Sequence, residues 1–245
     1  MLHQINSLPT HLFIGVRKSA TSWVWKQVDE NPIISVPKLK EVYFFTHNFD
    51  KGIEWYKNEF NPNKIVLDMT PDYFVPGCAK RIKNVLPNSK IMVCLRNPLD
   101  RAFSQWKFAR FNGSIKTDIT FFDAWNNNLN NIKKNGIYDK PLKEYIDCFG
   151  SNFNVIFYDD LKKDAWEFIC RFYNFLGIEP YKSNFFNQKW MPLVDNDPIK
   201  MEKYDRINKN VKILPNERKI IVKFYSKSVK EISEILNKDL SHWLI

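Results

Sequence analysis

Short apolar strands alternating with helical segments predict an α/β protein: a central parallel β-sheet with helices on both faces. Three observations carry this. Segments 12–16, 64–67, 90–95 and 154–158 are strand-length runs rich in aliphatic and β-branched residues. Between them lie stretches with helical spacing of apolar residues, and near-continuous apolar strands are those of a sheet buried on both faces. In order, a helix is expected from about Thr21 to before Pro32, another over Pro76–Leu86, and a third from Pro98 past Ser104. Asn97 suits the N-cap of the third and Pro98 its first position. Further helices are expected near 121–130, 141–149, 165–176 and 215–236, with Gly177 ending the helix at Leu176. Four or five strands and these helices fit one domain over residues 1–245.

The composition is that of a folded chain. Of 245 residues 44% are hydrophobic and 16% aromatic, too many for a disordered protein. The formal net charge is +10, which fits a polyanionic partner or a lysine-rich solvated surface. The charges are scattered, so a nucleic-acid partner is not expected. Cys78, Cys94, Cys148 and Cys170 form no CxxC pair, disulfide framework or zinc spacing, and no metal is expected. The start lacks a signal-peptide pattern, and no apolar run nears the ~20 residues of a membrane span. A soluble, cytoplasmic protein is the expectation.

The loop after the first strand reads Gly15-Val16-Arg17-Lys18-Ser19-Ala20-Thr21-Ser22-Trp23. Successive backbone amides at a helix N-terminus bind anions, and Lys18 with three hydroxyls adds to that. An ordinary basic turn also fits these residues alone. A nucleotide-kinase loop would need a second Gly followed by Lys, and that pair is missing. After the third strand comes Arg96-Asn97-Pro98-Leu99-Asp100-Arg101-Ala102-Phe103-Ser104. An Arg fork at the strand tip and a hydroxyl on the next helix suit one phosphate.

Together these segments resemble the sulfotransferases that use PAPS (3′-phosphoadenosine 5′-phosphosulfate). Lys18–Val24 is similar to K-S-G-T-T-W-V of cytosolic members, and Ile14–Lys18 to I-G-V-R-K of carbohydrate members. Arg96–Ser104 matches R-[ND]-P-x-[DE]-x-x-x-S at every defined position. The resemblance implies a P-loop-like sulfotransferase fold. It places the 5′-phosphosulfate on Arg17, Lys18, Ser19, Ala20, Thr21 and Ser22, adenine on Trp23, and the 3′-phosphate on Arg96 and Ser104. Ala20 stands where the family has Gly. Val155–Lys162 resembles the family's F-x-Y-E-D-L-K segment and makes Tyr158, read as a strand end, a pocket candidate.

On the acceptor side, Lys40-Glu41-Val42-Tyr43-Phe44-Phe45 resembles K-E-x-H-F-F of carbohydrate members, whose Glu is the catalytic base. Apolar neighbours disfavour the charged carboxyl, which suits a base. His47 is the alternative, because cytosolic members use a His. Asp68–Phe74 resembles E-K-T-P-x-Y-F, with Met69 in place of the family's Lys. That departure shifts charge stabilisation onto Lys40 and leaves Asp68 and Tyr73 as substrate contacts. Gln188-Lys189-Trp190 is the nearest substitute for a late basic loop of cytosolic members, with Lys189 a cofactor candidate. The expected activity is sulfuryl transfer from PAPS, leaving PAP, to a hydroxyl or amine of a carbohydrate. The alternatives are a phenol, alcohol or lipid acceptor or, further off, a nucleotide kinase.

Overall fold

The structure is a computed structural model that describes residues 7–187 and 197–245. Its elements are β1 (His11–Phe13), α1 (Thr21–Val28), β2 (Ile34–Ser35), α2 (Gly52–Asn58), β3 (Ile65–Asp68), α3 (Cys78–Val85), β4 (Lys90–Leu95), α4 (Pro98–Phe111), α5 (Phe121–Asn126), α6 (Asp139–Phe149), β5 (Phe153–Phe157), α7 (Tyr158–Lys163), α8 (Ala165–Leu176), α9 (Pro198–Asn208) and α10 (Pro215–Ile235). The described residues fall into two compact units, 7–96 with 143–187, and 97–142 with 197–245.

The first unit holds the sheet. Its five strands run β2-β3-β1-β4-β5, all parallel. The chain leaves β1 toward one edge and later turns to the other at β4. The carboxyl ends of β1 and β4 are therefore the switch point where such sheets bind ligands. β4 is buried from Ile91 to Leu95, as a strand covered on both faces must be. One set of side chains, Phe13, Leu67, Met92, Cys94 and Ile156, packs with α1 and α8. On the alternate face Tyr145 of α6 stacks on Phe153 at 5.4 Å.

The expected first strand is regular only to Phe13, although the amides of Ile14 and Val16 still donate to the carbonyls of Met92 and Cys94 at 2.9 and 3.0 Å. Gly15 breaks it. Its φ is +128°, and a Cβ there would lie 2.5 Å from the Pro71 carbonyl oxygen, so only Gly fits. Tyr158 does not end β5 but begins α7, where Asp159 and Asp160 occupy the first turn and favour the positive helix end. The helix expected near 121–130 stops at Asn126, with Asn128 and Asn130 in left-handed backbone. The two-residue β2, α2 and α9 carry too little periodicity to be read in advance.

In the second unit Asn97 caps α4, its Oδ1 accepting from the Leu99 amide at 2.9 Å. Arg101 is fully buried, donating to Gln105 at 2.6 Å and to the Ile132 carbonyl. The Trp125 indole donates to the Tyr225 hydroxyl at 2.9 Å. Among the described residues no helix is long and apolar enough to cross a membrane.

His11 makes the first unit acid-sensitive. Its ring is 7% exposed and meets Phe175 edge-on at 5.2 Å. Burial, and then Lys90, push its pKa from 6.5 down to about 4. Between those values the unfolded chain binds the proton and the folded chain does not. Stability from this group is therefore full above 6.5 and falls as pH drops toward 4. Urea unfolding should show a loss of about 2 kcal/mol between pH 7 and pH 5, at about 1.4 kcal/mol per unit below the unfolded pKa. His11→Leu should lose much less; equal losses would place the acid sensitivity elsewhere.

Candidate functional site

The loop from Gly15 to Ala20 turns at the carboxyl end of β1 through two left-handed non-glycine residues, Lys18 (φ 69°) and Ala20 (φ 68°). Ala20 is the N-cap of α1 and offers no capping side chain, so the first-turn amides of the helix have no intrahelical or side-chain cap acceptor. Ser19 is fully buried, and its Oγ has no hydrogen-bond partner among the described residues. Buried hydroxyls are normally satisfied, so this one fits an anion in the loop. Thr21 is buried and Ser22 half-buried at the helix start.

Cations gather around this loop. Burial, and then Arg96 and Lys40, lower the Lys18 pKa to about 8; Glu41 opposes the shift and Arg17 adds to it. The Arg96 Nη1 donates to the Lys18 carbonyl at 2.6 Å, and its guanidinium lies 4.2 Å from the centre of the Tyr158 ring. Lys162 approaches the same ring at 5.1 Å. Lys40 Nζ donates to Ser22 Oγ at 2.6 Å and stands 3.5 Å from Glu41 Oε1. Burial lowers the Lys40 pKa, with Glu41 opposing. Arg17 is committed to Asp72 through a two-pronged ion pair that, against burial, raises its pKa.

Glu41 is held from below. Asp68, at the end of β3, is fully buried and accepts from Tyr56 Oη (2.6 Å), Thr70 Oγ1 (2.7 Å) and Tyr73 Oη (3.0 Å). Burial raises its pKa, and these bonds counter the rise. Thr70 Oγ1 in turn accepts the Val42 amide at 3.0 Å, and Tyr73 Oη the Phe44 amide at 2.9 Å. Two main-chain points beside Glu41 are thereby fixed. The Glu41 carboxylate also accepts a hydrogen bond from the Tyr43 hydroxyl.

The structure thus brings Arg17, Lys18, Ser19, Ala20, Thr21, Ser22, Arg96, Tyr158 and Glu41 to one edge of the sheet. Several expectations change. Asp68 and Tyr73 are not substrate contacts, since both are fully buried and bonded to each other. Glu41 meets a phenol and an ammonium rather than only apolar rings. Met69 is a core residue, 1% exposed. Trp23 is 8% exposed and belongs to the same core, touching Phe168 and Phe186, so little of its indole is left for adenine. His47 is exposed, its ring 5.7 Å from that of Tyr43. Ser104 lies half-buried on α4 in the second unit. Lys189 lies outside the described residues. Asp72 and Tyr43 were missed; each fills a variable or substituted place in a matched segment, which is the signal that could have found them.

The family model described as Sulfotransferase domain matches residues 9–231. A membrane-associated sulfotransferase of Dictyostelium discoideum is 32% identical over 109 residues, covering 42% of this chain and 23% of that protein. The bifunctional heparan sulfate N-deacetylase/N-sulfotransferase 4 of Mus musculus is 25% identical over 271 residues, covering 97% of this chain and 31% of the relative. The chain spans less than a third of the length of either. Among solved structures, a sulfotransferase from Alicyclobacillus acidocaldarius superposes with a TM-score of 0.75 at 20% identity, covering 96% of this chain and 98% of the other. A mouse sulfotransferase complexed with PAP gives 0.56 at 16% identity, covering 98% and 88%. These two likenesses establish the fold: a five-stranded parallel sheet flanked by helices. With the family match running through most of its length, the chain belongs to the sulfotransferase-domain family.

Proposed function

We propose that this sulfotransferase moves a sulfuryl group from PAPS to a hydroxyl or amine of a carbohydrate. The observation that carries the reading is the convergence of Lys18, Arg96 and Lys40 on a helix N-terminus that also holds the unpartnered, buried Ser19 hydroxyl. We read the two units as parts of one domain, because the family match runs through both.

Bound PAPS supplies an activated sulfuryl group and a phosphate that can leave. The chain's part is binding, charge and proton transfer. Lys18, Ser19, Thr21 and Ser22 with the α1 amides hold the 5′-phosphosulfate, and Arg96 holds the 3′-phosphate from its perch on Tyr158. Glu41 takes the acceptor's proton while the acceptor's lone pair closes on sulfur. The electron pair of the breaking S–O bond goes to the phosphate oxygen, where Lys18 meets the developing charge. Lys40, between Ser22 and Glu41, adds a second cation to the same space. The carbohydrate acceptor is supported by the Glu41 segment and by relatives named for heparan sulfate. A small-molecule acceptor is the second reading, favoured by the Arg96–Tyr158 stack in the segment that resembles cytosolic enzymes.

Arg96→Ala should weaken PAP about 10- to 100-fold, the worth of a charge-assisted hydrogen bond, and barely change 5′-AMP. Calorimetric titration with both ligands checks this; equal losses would remove Arg96 from the 3′-phosphate.

Glu41→Gln should cost about 10²–10⁴-fold in transfer with PAP affinity kept, whereas His47→Asn should be mild. Radiolabelled PAPS offered with de-N-sulfated heparan sulfate, a glycolipid and p-nitrophenol reads both the rate and the acceptor class. Labelling of the phenol alone would overturn the carbohydrate reading. An inactive His47→Asn beside an active Glu41→Gln would move the base to His47.

A further inference from the structure

Tyr43 occupies a place that ordinary chain folding does not favour. Its φ is +54°, in the left-handed region that aromatic residues rarely enter. The kink is held from both sides, by the Val42 amide on Thr70 and the Phe44 amide on Tyr73. Behind it the Tyr43 carbonyl accepts the amides of Thr46, His47 and Asn48 at 3.2, 2.8 and 3.1 Å. The side chain so placed donates its hydroxyl to Glu41 Oε2. Backbone strain kept in place by a buried network marks a position with a task.

We propose that Tyr43 is a positioning residue for Glu41: its phenol holds carboxylate oxygen Oε2, so that Oε1 is the oxygen turned to the acceptor's proton. This rests on the reading of Glu41 as base. A carboxylate on a freely rotating side chain would spend most of its time off line. One fixed hydrogen bond selects a rotamer and divides the two oxygens into an anchored and a reacting one. Tyr43 keeps its proton throughout; the acceptor's proton goes to Oε1, which faces Lys40 Nζ at 3.5 Å.

The surroundings suit a permanent donor. Burial, and then the bond to Glu41, raise the Tyr43 pKa well above the ordinary range. The charged and titratable groups that face it are Glu41, Arg17 with its guanidinium 5.9 Å from the ring centre, Asp72 behind Arg17, and the His47 ring at 5.7 Å. Arg17 opposes the rise and Asp72 adds to it, and these two are themselves paired.

The test is carbon-13 NMR of protein labelled at the glutamate carboxyl carbons, with Glu41 assigned by the signal missing in Glu41→Gln. In Tyr43→Phe the Glu41 carboxyl signal at pH 7 should move, because a hydrogen-bond donor to that carboxylate is gone. An unmoved signal overturns the proposal. PAP affinity should be unchanged, which shows that the variant is folded. In the transfer assay Tyr43→Phe should lose about tenfold in kcat, with KM for PAPS constant. In a Glu41→Gln background the same substitution should cost nothing more. An equal cost in both backgrounds would mean that Tyr43 does not act through Glu41. Full activity of Glu41→Gln alone would sink the base reading instead, whatever the NMR shows for Tyr43.

Discussion

Burying the Lys18 ammonium among Arg96, Lys40 and Arg17 is the constraint on which the rest of the site depends. Loss of water around the ammonium and, after it, repulsion from the neighbouring cations lower the Lys18 pKa. Two carboxylates answer this locally. Asp72 takes Arg17, and Glu41 faces Lys40 and Lys18. That leaves positive charge in excess at the mouth of a helix whose own N-terminus is positive. Such an arrangement is stabilised by a polyanion. It also explains the strained loop. Left-handed Lys18 and Ala20 turn the chain sharply enough to aim amides and ammonium at one place.

A second layer keeps Glu41 in register with this charge. The Asp68 carboxylate is buried with three hydroxyl donors, so its negative charge is spent on organisation rather than on substrate. Through Thr70 and Tyr73 it fixes the amides of Val42 and Phe44, the main chain on which Glu41 and Tyr43 stand. Tyr145 fastens the Tyr73 carbonyl at 2.7 Å and ties this hub to α6. Gly15 completes the junction, because its missing Cβ lets the Pro71 carbonyl lie against the first loop. The loop after β1 and the segment that bears Glu41 are thus braced by one buried set of contacts.

What could be read from the sequence follows from how local each feature is. The loops after β1 and β4 are continuous segments, so the gathering of Lys18, Ser19, Ser22 and Arg96 at one end of the sheet was legible, as were the long helices and β4. Features that depend on where a side chain turns were not. Asp68 and Tyr73 carry groups that suit substrate, yet the pleat of β3 and the turn after it point them inward. Trp23 stands in a binding motif, but the buried face of α1 claims its ring. Tyr158 follows an apolar strand, yet two acidic residues after it start a helix. The Arg17–Asp72 pair joins segments 55 residues apart, which no local pattern reveals.

Proton linkage to PAP binding tests the charged site most directly. With its pKa near 8, Lys18 is about half protonated at pH 8 in the free protein. A bound polyanion should restore its full charge, so PAP should bind with uptake of about half a proton at that pH. Titration calorimetry in two buffers of different ionisation heat reads this number, and Lys18→Met should remove it. Binding at pH 8 without proton uptake, or with the same uptake in Lys18→Met, would contradict a phosphosulfate site built on Lys18.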